Sequence, residues 1–197
     1  PTPQTGEIPW DRLPEGCRVF GGNLTGVPEG FRAHDLLKDP IYAAQNADIT
    51  ARCALRLAGG RLEETLAGLP VLILGWGRIG KCLERHLISL GAEVCVYARS
   101  PKDRGMLAAL GGRALDRGEM LAALPGVKLV FNTAPELILS EADTKSCGAL
   151  LVDLASRRGM EDPRALWARG LPGKLAPLSS GRLMAQTVCR LWKEGAA

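Results

Sequence analysis

The sequence is short of aromatic residues and of histidine: its 197 residues include four Trp, two Tyr, three Phe and two His. The 25 basic residues are scattered and not gathered into a stripe interleaved with aromatic rings, so nucleic acid is not the expected partner. No apolar run is long enough to span a bilayer, and the start carries no basic, apolar secretory signal. The six cysteines, Cys17, Cys53, Cys82, Cys95, Cys147 and Cys189, are spread over the chain without a Cys-x-x-Cys pair. That pattern excludes a disulfide framework and a clustered zinc site, and no metal is expected. Most of them lie in apolar stretches such as Val94-Cys95-Val96, as buried, reduced thiols of a cytoplasmic protein do. The first residue is Pro1 and not Met, which reads as a processed or trimmed product.

The net charge of +4 is mild and suits an anionic ligand such as a dinucleotide or a dicarboxylate. Residues 1 to 34 are rich in Pro and Gly. They offer one weak strand signal, Arg18-Val19-Phe20-Gly21-Gly22, and read as an incomplete domain with too little apolar sequence for its own core. From Asp35, apolar residues recur at helical spacing through Leu36, Leu37, Ile41, Tyr42, Ile49, Cys53, Leu55 and Leu57 until Gly59-Gly60 stops the helix. Strand and helix then alternate. Strands are expected at 71–74, 93–97, 113–115, 128–131 and 149–153, and helices at 78–90, 101–110 and 117–124. A helix over 162–168, a turn at Gly170-Leu171-Pro172-Gly173 and a last helix over 179–192 complete the chain. The alternation predicts an α/β fold with a doubly wound parallel sheet. The expected divisions are 1–58 (partial substrate-type domain with linker helix), 59–178 (dinucleotide-binding domain) and 179–197 (a C-terminal helix packing back on the N-terminal part). The last helix places Leu183, Met184, Val188, Leu191 and Trp192 on faces that need cover, from the N-terminal piece or from a second copy in a homodimer.

The chemistry centres on Gly75-Trp76-Gly77-Arg78-Ile79-Gly80. A G-x-G-x-x-G run alone is a weak signal, but this one leaves a buried strand and opens an amphipathic helix, which is the Rossmann context. The first glycine allows the tight turn, the second admits a pyrophosphate to the backbone, and the third allows close helix packing. The helix N-terminus offers free N–H groups to phosphate. The end of the next strand chooses the cofactor. NAD proteins usually place an acid there for the ribose 2′-hydroxyl. Here the chain reads Tyr97-Ala98-Arg99-Ser100-Pro101-Lys102, and Arg99, Ser100 and Lys102 suit a 2′-phosphate, which favours NADP over NAD. Asn132-Thr133-Ala134-Pro135 and Asp153-Leu154-Ala155-Ser156 follow two further strands and face the same crevice. Asn132, Thr133 and Asp153 read equally well as cap or turn residues.

These residues resemble the family formed by the A-type subunits of dipicolinate synthase. The resemblance rests on Val71 through Gly80, Gly91-Ala92-Glu93-Val94, Ala98-Arg99-Ser100, Phe131-Asn132-Thr133-Ala134-Pro135 and Val152-Asp153-Leu154-Ala155-Ser156. Leu171-Pro172-Gly173-Lys174-Leu175-Ala176-Pro177 with Gly181 completes it. The Asp-Leu-Ala-Ser and Leu-Pro-Gly-Lys-x-Ala-Pro motifs are far more specific than the glycine turn. Phe20-Gly21-Gly22 and Gln45-Asn46-Ala47 resemble the tail of the family's first domain. The resemblance implies an NADP-dependent oxidoreductase that oxidises a cyclic tetrahydrodipicolinate-type dicarboxylate in spore-forming bacteria, partnered by a flavoprotein-like B-type subunit. It also implies a fold similar to that of D-2-hydroxyacid dehydrogenases.

The departures open other readings. Asn46-Ala47-Asp48-Ile49-Thr50-Ala51-Arg52-Cys53 has Arg52 and Cys53 where the family has Glu and Gly, which removes a substrate-facing acid. The segment after Ser156 is shortened, so a sixth strand is expected to be short or missing. Ser156, Lys174 and Ser180 are the groups expected to meet substrate carboxylates, and Asp153 is a further residue expected on the substrate side. No residue stands out as general base: His34 lies in the N-terminal piece, and His86 reads as a surface residue of the helix after the glycine turn. A non-catalytic dinucleotide-binding subunit or sensor, and an NAD-dependent 2-hydroxyacid dehydrogenase, are the competing functions.

Overall fold

A computed structural model describes residues 8–24 and 26–195. The chain divides into two compact units: Ala47–Ala176 form one, and the described residues up to Asn46 join those from Pro177 onward in the other.

In the smaller unit β1 (Arg18–Gly21) pairs in parallel with β2 (Arg32–Asp35), and Phe20 stands opposite His34. No strand pattern marks β2 in the sequence, and its first residues are polar or small and exposed. Backbone pairing holds it, together with the Phe20–His34 ring stack at 4.8 Å. The long helix α1 (Pro40–Gly59) starts later than its apolar pattern predicts. Leu36–Lys38 form a separate 3₁₀ turn capped by the Asp35 side chain. Asp39 then accepts from Tyr42 N at 2.7 Å, and Pro40 takes a first-turn place where its missing N–H costs nothing.

The larger unit holds β3 (Pro70–Leu74), α2 (Arg78–Ser89), β4 (Glu93–Tyr97), α3 (Pro101–Ala109), β5 (Arg113–Leu115), α4 (Arg117–Ala123), β6 (Leu129–Asn132), α5 (Glu141–Thr144), β7 (Leu150–Asp153), β8 (Leu166–Trp167) and α6 (Leu171–Leu175). Its six strands lie in the order β5-β4-β3-β6-β7-β8, every pair parallel. This is the doubly wound order that reverses at the first strand, here β3.

Successive residues of the central strands feed opposite layers, as the period of two demands. Val71, Ile73, Leu129 and Phe131 join Ala51, Ala54, Leu83 and Leu87 on one face. Leu72, Leu74, Val130 and Leu151 join Met120, Leu124 and Leu139 on the other. All these side chains are essentially inaccessible to water.

Two expectations near the C-terminus are corrected. Residues 162–168 are not a helix. The Asp162 carboxylate accepts from Arg164 N at 2.8 Å and pairs with the Arg164 guanidinium at 2.6 Å, which turns the chain. The chain then enters the two-residue strand β8, where Ala168 N donates to Asp153 O at 2.7 Å. The sixth strand is therefore present but short. Residues 170–173 are not an open turn, because Gly170 takes a left-handed conformation (φ 67°) and opens the short helix α6.

The last helix, α7 (Pro177–Glu194), belongs to the smaller unit. Within that unit Arg190 donates to Asp39 at 2.7 Å, and the Arg18 guanidinium lies 4.8 Å over the Trp192 ring. The Arg190 hydrogen bond comes first among the causes that hold the Asp39 carboxyl below its ordinary range. Of the apolar residues expected to need cover, Leu183 is buried, Val188 and Leu191 are half-buried, and Met184 and Trp192 remain exposed.

Candidate dinucleotide site

The candidate site forms at the carboxyl ends of β3, β4 and β6, where ligands of open α/β sheets bind. The turn after β3 needs its glycines for separate reasons. Gly75 has φ +94°, and a Cβ there would stand 2.9 Å from Thr133 Oγ1. A Cβ on Gly80 would stand 2.2 Å from Gly75 O, so α2 could not pack on the turn. Gly77 has nothing within 4 Å of its Cβ position. The protein's own packing therefore does not demand glycine at 77, whereas a pyrophosphate lying on the backbone would.

Gly77 is also the N-cap of α2 and offers no side-chain hydrogen bond to the first turn. By contrast α3, α4 and α5 are capped by Ser100, Asp116 and Ser140. The first-turn N–H groups of α2, with the positive end of the helix dipole, thus face the crevice without a protein acceptor on the cap. This arrangement fits a bound dinucleotide phosphate.

A crevice of about 280 Å³ runs beside the turn, lined by Gly75, Trp76, Gly77, Ala98, Arg99, Ser100, Asp103, Thr133, Ala134, Pro135 and Glu136. Most of the expected cofactor residues thus meet at one place. Thr133 ties the loop after β6 to the glycine turn: its N–H donates to Leu74 O at 2.9 Å, and its hydroxyl lies 3.0 Å from Leu74 O and 3.1 Å from Gly75 O. The Trp76 indole N–H donates to Glu84 at 2.7 Å, with Lys81 Nζ 4.4 Å above the ring, so Trp76 is anchored on α2. Ile79 and Gly80 pack inward, and Arg78 is exposed at the start of α2.

At the far side of the crevice Ser100 caps α3 by accepting from Asp103 N at 3.3 Å. Arg99 Nη1 donates to Glu136 Oε2 at 2.5 Å. Lys102 is exposed and, among the described residues, makes no hydrogen bond or ion pair. Sequence reading missed two contributors. Arg104 donates to Ala98 O and Arg99 O, both at 2.8 Å, and so fixes the turn that presents Arg99. Glu136 directly follows the Asn-Thr-Ala-Pro run, and a carboxylate beside that run was the available signal.

Of the residues expected to meet substrate, Lys174 lines a recess that the other three do not line. Asp153 is 1% exposed, and its carboxylate accepts from Asn132 Nδ2 (2.9 Å), Ala155 N (3.0 Å) and Gly159 N (2.7 Å). It organises the loop after β7 and offers no free face to a ligand. Asn132 is equally buried and completes that network. Ser156 is exposed on the loop that Asp153 holds. Lys174 lines a separate recess of about 290 Å³ with Leu57, Arg61, Trp167 and Arg169. Ser180 lies on α7 in the other unit. A larger recess of about 550 Å³ lies at the opposite, amino ends of β3 and β4, around Pro70, Glu93 and Arg113.

His86 is not the surface residue expected. Its Nε2 lies 2.6 Å from Asp48 Oδ1, with 15% of its side chain exposed, and it braces α2 against α1 within this unit. Burial pushes the thiols of Cys53, Cys82 and Cys95 up, and none of them lines the crevice. Among the described residues no cluster of His, Cys, Asp and Glu could hold a metal ion, and no helix is long and apolar enough to cross a membrane.

The strand order, the glycine turn and the crevice define a Rossmann-type protein of the NAD(P)-binding class. No protein-family model matches the chain. The chain is 30% identical over 200 residues to the A-type subunit of dipicolinate synthase from Bacillus subtilis (strain 168), covering 93% of this chain and 67% of the relative. It belongs to this family of dipicolinate synthase subunits. Crystal structures of the same subunit from Bacillus halodurans and from Bacillus subtilis match it with TM-scores of 0.79 and 0.80 at 26% and 28% identity. These matches cover 92% and 94% of this chain and 68% and 67% of theirs. Transhydrogenase from Sinorhizobium meliloti shares the fold, with a TM-score of 0.72 at 16% identity over 84% of this chain and 61% of its own.

Proposed function

We propose that the chain is the dinucleotide-binding part of an NADP-dependent oxidoreductase that acts on a cyclic tetrahydrodipicolinate-type dicarboxylate. The observation that carries this reading is the pairing of an uncapped, sterically open Gly77 with Arg99 and Ser100 on the far wall of the same crevice, Lys102 being exposed just beyond them. Bound nicotinamide would supply hydride transfer, and the protein would supply binding, orientation and exclusion of water. The Gly77 backbone and the α2 N-terminus would take the pyrophosphate. Arg99, Ser100 and Lys102 would take the 2′-phosphate. Thr133, Ala134 and Pro135 would form the wall beside the ribose.

Ser156, exposed on the loop after β7, would meet a substrate carboxylate. Family membership supports the substrate class. The relative's name makes it one subunit of a synthase, and a second, B-type subunit is the partner proposed for this chain. A cytoplasmic setting and a sporulation role belong to the same proposal.

Calorimetric titration with NADP, NAD and dipicolinate tests the reading, together with NADPH formation from the cyclic dicarboxylate. Tighter binding of NADP than of NAD, with turnover, is expected, and binding of neither dinucleotide would overturn it. A second reading, a non-catalytic dinucleotide-binding subunit, is favoured by the full commitment of Asp153 to backbone and Asn132. It predicts NADP binding without turnover.

A further inference from the structure

The crevice holds an anion of its own. Arg99 leaves β4 and Glu136 lies on the loop after β6, so their 2.5 Å ion pair crosses from one wall to the other. The two side chains remain 76% and 45% exposed, and among the described residues neither has another side-chain partner. Both are therefore able to exchange partners at little steric cost. The Arg104 guanidinium donates to Ala98 O and Arg99 O and so fixes the turn, which keeps the Arg99 side chain near the crevice when its partner leaves.

The two forms of the cofactor meet this pair differently. A 2′-phosphate needs the guanidinium that Glu136 already holds, and it brings negative charge against the carboxylate. A ribose 2′-hydroxyl carries no charge and can donate a hydrogen bond to a carboxylate, as it does to the acid of NAD-binding proteins. We propose that Glu136 is a specificity-determining residue of the site: its carboxylate acts as an internal counter-ion that a 2′-phosphate must displace from Arg99. Glu136 acts through Arg99 and is a positioning residue in this sense. It narrows the gap between NADP and NAD that Arg99, Ser100 and Lys102 open, by penalising one ligand and not the other. The inference rests on the NADP reading above.

The test is calorimetric titration of NADP and NAD into wild type, Glu136→Gln, Arg99→Ala and the double variant. Glu136→Gln keeps the shape of the side chain at an exposed position, and its thermal melt serves as the folding control. We expect it to bind NADP about tenfold more tightly and NAD within about twofold of wild type. In the Arg99→Ala background the same change is expected to gain clearly less, since the competition for the guanidinium is gone and only the charge repulsion remains to be relieved. An unchanged NADP affinity in Glu136→Gln, or a loss confined to NAD, overturns the inference; the second outcome makes Glu136 a ribose acceptor instead. If wild type prefers NADP and Glu136→Gln gains nothing, the NADP reading stands and the inference falls. If wild type rejects NADP and Glu136→Gln accepts it, the NADP reading falls and the inference stands.

Discussion

Asn132 Nδ2 donates to Asp153 Oδ1 at 2.9 Å, across the registered ends of β6 and β7. Both side chains are buried, and the pair is knitted into the loops on each strand: Ala134 N donates to Asn132 Oδ1, and Ala155 N and Gly159 N donate to Asp153. A Cβ on Gly159 would stand 2.3 Å from Asn132 Nδ2, so the loop is drawn tightly over the amide. Asn132→Ala removes one of the three donors to a buried carboxylate and is expected to cost about 2–3 kcal/mol. Asn132→Asp sets two carboxylates side by side and is expected to cost more. Urea denaturation measures both. A loss below about 0.5 kcal/mol for Asn132→Ala would show that the network is not structural.

Asp162 gives the fold an acid-sensitive joint. The hydrogen bond from the Arg164 guanidinium comes first among the causes that lower its carboxyl to about 2, ahead of the opposing effect of burial and of a bond with Thr144. Arg164 also donates to Cys147 O at 3.0 Å and Thr144 O at 3.1 Å, so the pair anchors the end of α5 to the turn before β8. A carboxyl depressed in the folded state adds stability above its ordinary value near 3.8, and that stability is lost as pH falls through about 2. Arg164 is half-exposed at its outer end, so the contribution is expected to be about 1 kcal/mol after screening. Denaturation midpoints of wild type and Asp162→Asn should therefore differ at neutral pH and converge as pH falls from about 4 to about 2. Parallel curves over that range would rule the mechanism out.

Ser100 is expected to have two jobs that one substitution separates. It caps α3 by accepting from Asp103 N, and it is proposed to donate to a 2′-phosphate. Gly is tolerated at an N-cap at a cost of only a few tenths of a kcal/mol, whereas Ala costs about 1. Ser100→Gly should therefore leave the thermal melt nearly unchanged and still weaken NADP binding, by about three- to tenfold, with NAD unaffected. An equal loss for both dinucleotides would confine Ser100 to capping.

The parallel sheet was legible in the sequence because strands buried on both faces appear as unbroken apolar runs, and Val71-Leu72-Ile73-Leu74 is such a run. The glycine turn was legible for the same reason, since it follows that strand directly. What stayed hidden depends on contacts between distant or charged side chains. β2 is held by pairing with β1 and not by its own pattern. The turn at Asp162 depends on a side-chain pair within a stretch that otherwise reads as helix. His86 meets Asp48 across 38 positions, and Arg99 meets Glu136 across 37. No local periodicity reports either contact, so Arg99 stood out at the crevice wall without the carboxylate that faces it.

Gly77 and Gly80 separate ligand space from packing space within one turn. Alanine at 80 would bring its Cβ to 2.2 Å from Gly75 O, a backbone atom that cannot swing aside. Gly80→Ala is therefore expected to push α2 off the turn and to cost about 3 kcal/mol or more, lowering the thermal midpoint as well as dinucleotide binding. Alanine at 77 meets no protein atom within 4 Å, and the backbone there is in an ordinary extended conformation at φ −76°. Its stability cost is expected to stay within about 1 kcal/mol, the loss of a tolerated N-cap. Its methyl group would nevertheless occupy the space that the pyrophosphate needs, so affinity for both NADP and NAD should fall by about tenfold or more. Thermal melts and titrations of the two variants side by side read this contrast. A Gly77→Ala protein that melts normally and binds both dinucleotides as wild type does would mean that the phosphates do not pass over the turn.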